Sequence, residues 1–294
     1  MPELDPPPIR SYLYAPGSNR HVMAKALGAG ADAVILDLED SVPPGEKRAA
    51  RDKVAAVVAE AGSLRIGSGE LHVRVNHGPN GPDLDDVAAV TVRGLAGIRL
   101  PKIGSADEVR AVAAALDTLE AEAGMRAGTV RLYLSIETAA AALASQELAA
   151  APRVARLVFG ATDFLADIAS PGTTEGPATA LARGMLVLAS RAAGIGAPVD
   201  CVHTVLDDEE GLRRAAIAAR ELGFYGKSVI HPRQIRVVDE VFRPSEAELA
   251  QARRILAHAE AHGEGATALD GRLIDAAVVA RAARVVAFSG TGLI

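Results

Sequence analysis

The sequence predicts a (β/α)8 barrel, a closed ring of parallel strands surrounded by helices, in the α/β class. About eight short apolar runs of strand character follow one another along the 294 residues, and Ala-rich segments with helical spacing separate them. The runs are nearly continuous in Val, Ile and Leu, which indicates strands covered on both faces, as in a parallel sheet. Eight units of roughly 25 to 35 residues fit a barrel better than an open doubly wound sheet.

Each strand-like run is short and is followed by a loop. In chain order the runs are SYLYAPG from Ser11, AVILDLED from Ala33, LHVRVN from Leu71, GIRLPKI from Gly97, RLYLSIET from Arg131, RLVFGATD from Arg156, PVDCVHTVL from Pro198 and GKSVIHP from Gly226. The helical segments include HVMAKALGAGA, EVRAVAAALDTLEAEAG, LARGMLVLASRAAG and EEGLRRAAIAARELG. No Gly-x-Gly-x-x-Gly follows the first run, which weakens a dinucleotide-binding fold.

The sequence divides into three segments: a flexible N-terminal arm over residues 1–9, a barrel over 10–240 and a C-terminal helical extension over 241–294. In the extension, Ser245 reads as the N-cap of a helix, and Glu248 three residues later completes a capping box. A second helix follows a Gly-containing turn. We expect the extension to act as a lid or as an arm that embraces a neighbouring subunit.

Composition excludes several classes of function. The net charge is −6 and no long basic run is present, so nucleic acid is not an expected partner. The acidic, proline-rich start MPELDPPPIR lacks the features of a signal peptide, and no apolar run approaches the length of a membrane span. The single Cys201 excludes an internal disulfide framework and fits a reducing compartment. We therefore expect a cytoplasmic protein.

Polar residues concentrate at the ends of the runs, and in a barrel of this kind the chemistry lies at the C-terminal ends of the strands. They are Asp37, Glu39, Asp40, Arg74, Asn76, Lys102, Glu137, Asp163, His203 and His231. Because side chains alternate across a strand, Asp37 and Glu39 share one face of the second run. In the same way, Tyr133, Ser135 and Glu137 share one face of the fifth run. If Glu137 points inward, Asp163 on the next strand can share a cation with it.

Each of these residues also has a structural interpretation. Glu137 and Asp163 can cap the helices that follow them. An inward Arg74 on an apolar strand is costly unless it meets a charge, so it pairs with Asp37 or Glu39, acts on a substrate, or does both. The two histidines are interpreted as interior or rim residues rather than metal ligands.

The acidic cluster after the second run has two further interpretations. We expect at least one of Asp37, Glu39 and Asp40 to accept hydrogen bonds from metal-bound waters or to pair with Arg74. Asp40 can equally cap the turn before SVPPGEK. After the first run, Ser18 and Lys25 lie near a helix start whose backbone amides can meet an anion. The alternative there is an ordinary solvated helix face.

The motifs RSYLYAPGSN, KALGAGADAVILDLEDSV, VRVN, LPKI, IET, FGATDFLADI, ELGFYGKSVIHPRQI, EVFRPSEAELAQAR and DGRLIDA occur in this order. Together they resemble the HpcH/HpaI aldolase and citrate lyase β-subunit family, on the side that includes malyl-CoA and citramalyl-CoA lyases. The resemblance covers nearly all of residues 10–285. It implies a Mg²⁺-dependent enzyme that makes or breaks a carbon–carbon bond between an acyl-CoA and a 2-keto acid.

The resemblance also implies roles for individual residues. Glu137 and Asp163 would hold Mg²⁺, and Arg74 would neutralise the oxyanion that develops as the bond breaks. Asp275, contributed by the adjacent subunit of a homotrimer or homohexamer, would act as acid or base on the acyl-CoA carbon; its alternative role is an ordinary helix N-cap. The expected catalytic residues are Arg74, Asp275, Asp37 and Glu39, and the expected substrate contacts are Arg74, Asn76, Lys102, Ser18 and Lys25.

Three other functions remain open from the sequence. The first is a CoA-independent, Mg²⁺-dependent aldolase that acts on free hydroxy-keto acids. The second is a malyl-CoA thioesterase. The third is a carrier-dependent subunit of a larger lyase complex, inactive on free thioesters.

Overall fold

The computed structural model describes residues 9–64, 69–263 and 265–289, with side chains described from residue 9 to 62 in the first of these ranges. Residues 1–8 of the expected N-terminal arm and residues 290–294 of the extension lie outside the described residues. The strands are β1 Ser11–Pro16, β2 Ala33–Asp37, β3 Glu70–Arg74, β4 His77–Gly78, β5 Gly81–Pro82, β6 Gly97–Leu100, β7 Arg131–Ile136, β8 Val154–Phe159, β9 Lys227–Val229, β10 Thr267–Leu269 and β11 Arg272–Ile274.

Helices follow most strands of the barrel, as the Ala-rich segments predict. They are α1 Arg20–Leu27, α2 Lys47–Leu64, α3 Leu84–Val90, α4 Ala106–Glu122, α5 Ala139–Leu143, α6 Ser145–Ala149, α7 Ala161–Asp167, α8 Pro177–Ala193, α9 Glu209–Leu222, α10 Pro232–Phe242, α11 Glu246–His262 and α12 Ala276–Ser289. A 3₁₀ turn at Pro44–Glu46 precedes α2. None of the helices in the described ranges is long and apolar enough to cross a membrane.

Seven parallel strands pair in the order β8-β7-β6-β3-β2-β1-β9. The seventh predicted run closes the ring with single bridges rather than a full strand: Val199 pairs with Val158 on β8, and Asp200 pairs with Lys227 on β9. The eight runs therefore occupy the eight positions of a closed barrel, and the predicted (β/α)8 fold is confirmed.

A buried ion cluster reinforces this closure. Lys227 Nζ lies 2.6 Å from one carboxylate oxygen of Asp200, and Arg183 Nη1 lies 2.8 Å from the other. Lys227 and Asp200 are completely buried. Because an unpaired buried charge costs several kcal/mol, these three residues hold the short seventh segment between β8 and β9.

The strands bury both faces. Residues such as Leu71, Val73 and Ile98 point outward and pack under the helices, in the main hydrophobic core. The inner face carries a smaller cluster with Tyr12 and Tyr133, whose ring centroids lie 6.2 Å apart. A side chain at Gly97 would place its Cβ 2.6 Å from the Tyr133 ring, so glycine is required there. The barrel interior is thus filled by side chains, as in other barrels of this class.

The C-terminal extension consists of α11, the β10–β11 hairpin and α12. The capping box at its start is confirmed: Ser245 Oγ accepts from the Glu248 amide at 3.2 Å, and Glu248 Oε2 accepts from the Ser245 amide at 2.7 Å. The two long helices pack on each other, and Ala252 and Ala282 are their only fully buried residues in the described part of the chain. At the far end of α12, the Phe288 ring lies 4.4 Å from that of Tyr225.

Candidate active site at the barrel mouth

An arginine and an aspartate form the centre of the barrel mouth. Arg74, the last residue of β3, donates through Nε to Asp37 Oδ1 at 2.7 Å and through Nη2 to Asp37 Oδ2 at 2.8 Å. Asp37, the last residue of β2, also accepts from the amides of Glu39 and Ser41. This two-pronged contact fixes the plane of the guanidinium group. The expected pairing of Arg74 with Asp37 is therefore present in the structure.

The pKa of Asp37 reflects two opposing effects. Burial favours the neutral acid, but the hydrogen bonds and positive charge of Arg74 outweigh it, so the pKa of Asp37 lies below its usual value. The same contacts raise the pKa of Arg74 against the effect of burial. Both groups are charged at neutral pH. It is Asp37, not Asp40, that caps the turn after β2, because its carboxylate reaches the Glu39 and Ser41 amides.

Glu39 links Arg74 to Lys102. One Glu39 carboxylate oxygen lies 2.9 Å from Arg74 Nη1, and the other accepts from Lys102 Nζ at 2.6 Å. Asp40, which is exposed, lies 3.2 Å from Arg74 Nη1 and 3.4 Å from Lys102 Nζ. The hydrogen bond that Lys102 donates to Glu39 is the largest effect that raises the pKa of Lys102. Lys102 is therefore a member of the ion-pair network at the mouth.

Glu137 lies at the end of β7 with its carboxylate inside the mouth. The side chain is buried, and its Oε2 accepts from the Lys102 backbone amide at 2.9 Å. Lys102 has a φ of 51°, a left-handed conformation that a non-glycine residue adopts at some cost and that directs this N–H toward Glu137. Burial, reinforced by the negative charges of Glu39 and Asp163, raises the pKa of Glu137 to about 7.

Asp163 does not end a strand, contrary to the sequence interpretation. β8 ends at Phe159, and Asp163 lies in the first turn of α7, which begins at Ala161 after Gly160. The strand stops early because Gly160 turns the chain into the helix. Asp163 is exposed at this helix start, and its negative charge contributes to the raised pKa of Glu137.

Gly160 is a site residue that the sequence interpretation missed. A Cβ at this position would lie 2.3 Å from Glu137 Cγ and 2.9 Å from Glu137 Oε1. Glycine therefore leaves the space in which the Glu137 carboxylate lies. The available signal was its position in the FGATD run, directly between the strand and the helix that carries Asp163.

The mouth has the donor chemistry of a Mg²⁺ site. In the described ranges there is no cluster of three or more His, Cys, Asp and Glu side chains that could hold a metal. Mg²⁺ does not require one, because it binds through one or two carboxylates and keeps several waters. Burial first, and then the negative charges of Glu39 and Asp163, raise the pKa of Glu137, and a divalent cation held by Glu137 and Asp163 would stabilise its ionised form. The residues present therefore fit Mg²⁺.

A cavity of about 570 Å³ opens beside α7. Its wall includes Thr162 and Leu165 of α7, Thr173 and Thr174 of the following loop, and His203 after the seventh barrel segment. Its lining includes Thr162, the residue before Asp163, but neither Asp163 nor Glu137 itself.

Of the other expected substrate contacts, Asn76 and Ser18 follow strand ends at the mouth, whereas Lys25 lies one helix length away from it. Asn76 donates through its backbone and its side-chain amide to Asp86 Oδ2, at 2.8 and 2.7 Å. Ser18 is half-buried and its carbonyl accepts from Lys53 Nζ at 2.9 Å. Lys25 is exposed in the last turn of α1, away from Ser18. The first amides of α1 are occupied by the Asn19 side chain, which caps this helix.

Asp275 and the two histidines make their contacts with residues other than Glu137 and Asp163. Asp275 Oδ1 accepts from the Val278 amide at 3.0 Å, so the residue caps α12. His231 caps α10 by accepting from the Arg233 amide, and His203 Nε2 lies 3.5 Å from Asp208. In the part of the chain that the structure describes, neither histidine makes a hydrogen bond with Glu137.

The pKa of Glu137 predicts a pH dependence of stability. In metal-free protein, folding raises this pKa from 4.5 to about 7. Folded Glu137 therefore keeps a proton that the unfolded chain releases, and stability falls as pH rises from 4.5 through 7. We expect the free energy of unfolding of the wild type in EDTA, measured by chemical denaturation, to fall by about 3 kcal/mol more than that of Glu137→Gln between pH 4.5 and 8. Parallel stability curves for the two proteins would contradict this expectation.

A (β/α)8 barrel with paired carboxylates and an anchored arginine at its mouth defines a class of metal-assisted enzymes. The family model described as HpcH/HpaI aldolase/citrate lyase matches residues 10–232, and the model described as C-C bond lyase of the TIM-barrel fold matches residues 185–287. The chain belongs to the HpcH/HpaI aldolase/citrate lyase family, and the predicted resemblance is confirmed.

Three relatives illustrate the range of the family. The chain is 37% identical to a (3S)-malyl-CoA thioesterase of Cereibacter sphaeroides, over 91% of this chain and 90% of that protein. It is 35% identical to citrate lyase subunit beta of Leuconostoc mesenteroides, over 94% and 91%. A crystal structure of CitE from Mycobacterium tuberculosis with magnesium, acetoacetate and coenzyme A matches with a TM-score of 0.76 and 30% identity, over 96% of this chain and 98% of that one.

Proposed function

We propose that this enzyme is a Mg²⁺-dependent carbon–carbon lyase. It cleaves a 3-hydroxyacyl-CoA such as malyl-, citramalyl- or citryl-CoA into an acyl-CoA and a 2-keto acid, or runs the reverse condensation. Its membership of the citrate lyase family and its similarity to a structure that contains magnesium and coenzyme A support this function.

One observation carries the proposal: Glu137 is a buried carboxylate in the mouth of the barrel, with a pKa raised to about 7 by burial and by neighbouring negative charge. The hydrogen bond that Glu137 accepts comes from the neutral Lys102 amide rather than from a cationic side chain. The positive charge of Arg74 lowers the pKa of Glu137 by less than burial raises it. This arrangement supports a role for Glu137 as a metal ligand.

The roles divide between binding the metal and binding charge on the substrate. Glu137 and Asp163 hold Mg²⁺, which when bound polarises the carbonyl of the keto acid and orients it. Arg74 neutralises the oxyanion that develops as the carbon–carbon bond breaks. Asp37 holds the Arg74 guanidinium in one plane, and Glu39 fixes its outer nitrogen.

The remaining polar residues contact the substrate further from the reacting bond. Lys102 and Asn76 border the keto-acid side of the mouth, where each is already anchored by an acidic residue. Ser18 and Lys25 offer a hydroxyl and a positive charge to the CoA phosphates. Because the Lys102 and Asn76 side chains are already anchored, they lose little conformational freedom when a ligand binds.

Product analysis by mass spectrometry tests this function. The purified protein is incubated with malyl-CoA, citramalyl-CoA and citryl-CoA, with Mg²⁺ and with EDTA. With Mg²⁺ but not with EDTA, we expect acetyl-CoA to appear together with glyoxylate from malyl-CoA, pyruvate from citramalyl-CoA or oxaloacetate from citryl-CoA. If all three thioesters remain intact while a free hydroxy-keto acid is cleaved, the enzyme is a CoA-independent aldolase instead.

A second candidate is hydrolysis of the thioester. The similarity to a (3S)-malyl-CoA thioesterase, at 37% identity over 91% of this chain, favours it. The same incubation separates the two reactions, because hydrolysis of malyl-CoA gives malate and free CoA. If malate appears without glyoxylate at any time, the enzyme is a thioesterase rather than a lyase.

We also propose that Asp275 acts on the acyl-CoA carbon of a neighbouring subunit in a homotrimer or homohexamer. Phe288 packs on Tyr225, which precedes β9 and so lies at the opposite end of the barrel from the mouth. Helices α11 and α12 and the hairpin between them then form an arm in which Asp275 lies roughly 20 Å along α12 from this anchor. An arm attached at this end of the barrel supports a contact of Asp275 with another subunit.

Subunit mixing tests this role. We expect Asp275→Asn and Glu137→Gln each to be inactive alone, and co-expressed mixtures to recover about a quarter of wild-type activity, because a quarter of the sites combine the intact halves of two subunits. Each variant expressed alone is the control. If mixed oligomers form, as shown by mass spectrometry, and remain inactive, Asp275 does not act in trans.

We place the enzyme in the cytoplasm, with residues 10–240 as its catalytic barrel. The single Cys201 cannot form an internal disulfide, which supports a reducing location. It is buried, and burial raises its pKa to about 12, which leaves the thiol unreactive.

A further inference from the structure

Tyr14 lies on the inner face of β1 between two guanidinium groups. Arg74 Cζ is 5.1 Å from the centre of its ring, and Arg99 Cζ is 5.5 Å from it. The tyrosine is half-buried, whereas Arg99 below it is completely buried. Tyr14 thus lies between the buried Arg99 and Arg74 at the barrel mouth.

Arg99 is a buried charge without a carboxylate partner in the described ranges. Its guanidinium lies over the rings of Tyr12 and Tyr133 as well as Tyr14, with centroid distances of 4.7 and 5.9 Å for the first two. Its Nε and Nη2 atoms have no hydrogen-bond partner in the part of the chain that the structure describes. Burial of an uncompensated charge is costly, so a purely structural role explains Arg99 poorly.

The contact between Arg99 and Tyr14 orients the tyrosine hydroxyl. Arg99 Nη1 donates to Tyr14 Oη at 3.3 Å and lies 3.4 Å from Ser228 Oγ. Because guanidinium nitrogens only donate, the Tyr14 oxygen is the acceptor, and its own O–H is directed away from Arg99. The other charged group next to the ring is Arg74, on the mouth side. A donor flanked by two positive charges is suited to an anion.

We propose that the Tyr14 hydroxyl donates a hydrogen bond to the carboxylate of the bound 2-keto acid, and that Arg99 is the positioning residue behind it. This inference rests on the proposed function, since it assigns a contact to the same substrate. Arg99 orients the hydroxyl and adds positive potential without touching the ligand. A phenylalanine at position 14 would supply the same ring to both guanidinium groups but not the hydrogen bond.

Calorimetric titration with oxaloacetate, pyruvate and glyoxylate in the presence of Mg²⁺ tests the contact. We expect Tyr14→Phe to bind the preferred 2-keto acid tenfold to a hundredfold more weakly, on the order of a hydrogen bond to a charged group, with unchanged Mg²⁺ affinity. Tyr133→Phe is the matched control: it is another inward tyrosine near Arg99, but its hydroxyl contacts Glu70. It should bind the keto acid like wild type.

Arg99→Met tests the positioning role. We expect weaker keto-acid binding without a lower melting temperature, because an unpaired buried charge is replaced by an apolar side chain. The double variant Tyr14→Phe/Arg99→Met should lose less affinity for the keto acid than the product of the two single-variant fold losses, because both residues act through the Tyr14 hydroxyl. A lower melting temperature with normal binding, or multiplicative losses, would overturn the role of Arg99.

The outcomes separate this inference from the proposed function. A wild type that binds no 2-keto acid and cleaves no thioester overturns both. A wild type that binds and cleaves, together with a Tyr14→Phe variant of equal affinity, overturns the Tyr14 contact and leaves the lyase function standing.

Discussion

Glu137→Gln and Asp163→Asn should each lower Mg²⁺-dependent cleavage by about 10³-fold or more, because either change removes one of two carboxylates that hold the cation and so most of its several kcal/mol of catalysis. The Gln side chain keeps the shape of Glu137 and can still accept from the Lys102 amide. Loss of activity in this variant therefore reports loss of charge rather than loss of packing. Asp163 is exposed at the start of α7, so its replacement should leave the fold intact.

Two measurements check this expectation. Calorimetry with Mg²⁺ alone should show weaker binding in both variants, and activity assays in excess Mg²⁺ should show little rescue. Asp167→Asn is a matched control, because Asp167 is an exposed acid one turn later on α7 whose contact is with the Ala139 amide. It should behave as wild type. Full activity of Glu137→Gln would refute the metal site.

Arg74→Lys should lower kcat by about 10²- to 10³-fold with little change in Mg²⁺ affinity, the size of effect that follows loss of an oxyanion-stabilising group. Lysine keeps the charge but cannot form the two-pronged contact with Asp37, so the positive charge is no longer fixed at the developing oxyanion. Arg74→Met would also destabilise the fold, because buried Asp37 would lose the positive charge that pairs with it. The lysine variant is thus the more informative one.

Arg10→Lys provides the control for this variant. Arg10 makes the same two-pronged contact with Asp32, at 2.7 and 2.8 Å, but precedes β1 at the opposite end of the barrel. We expect it to lower the melting temperature without a change in kcat. If Arg74→Lys likewise changed stability alone, Arg74 would be a structural residue.

The fold was predictable because its signal is local and repeated. Apolar runs mark the strands, and Ala-rich helical spacing marks the helices. Alternation along β7 also placed Glu137 on the inner face correctly. The seventh run was harder to describe, because Val199 and Asp200 make only single bridges there, and the buried contacts of Asp200 with Lys227 and Arg183 are not visible in a linear pattern.

The geometry of the site was less predictable than its composition. Asp163 lies on α7 because the chain turns at Gly160, and hydrophobic periodicity does not locate a turn of one residue. The left-handed conformation of Lys102 and the space above Gly160 depend on contacts between separate strands. The sequence thus predicted that Arg74 pairs with Asp37 or Glu39. The positions of Lys25 and Asp275, away from this cluster, follow from tertiary packing.

Anomalous diffraction from crystals grown with Mn²⁺ and a 2-keto acid tests the central claim most directly, since carboxylate and water ligands suit Mn²⁺ as well as Mg²⁺. We predict one Mn²⁺ at the barrel mouth, bound by carboxylate oxygens of Glu137 and Asp163 and by the keto acid, with Arg74 facing the ligand. A metal bound elsewhere, or a keto acid bound away from Glu137, would contradict this account.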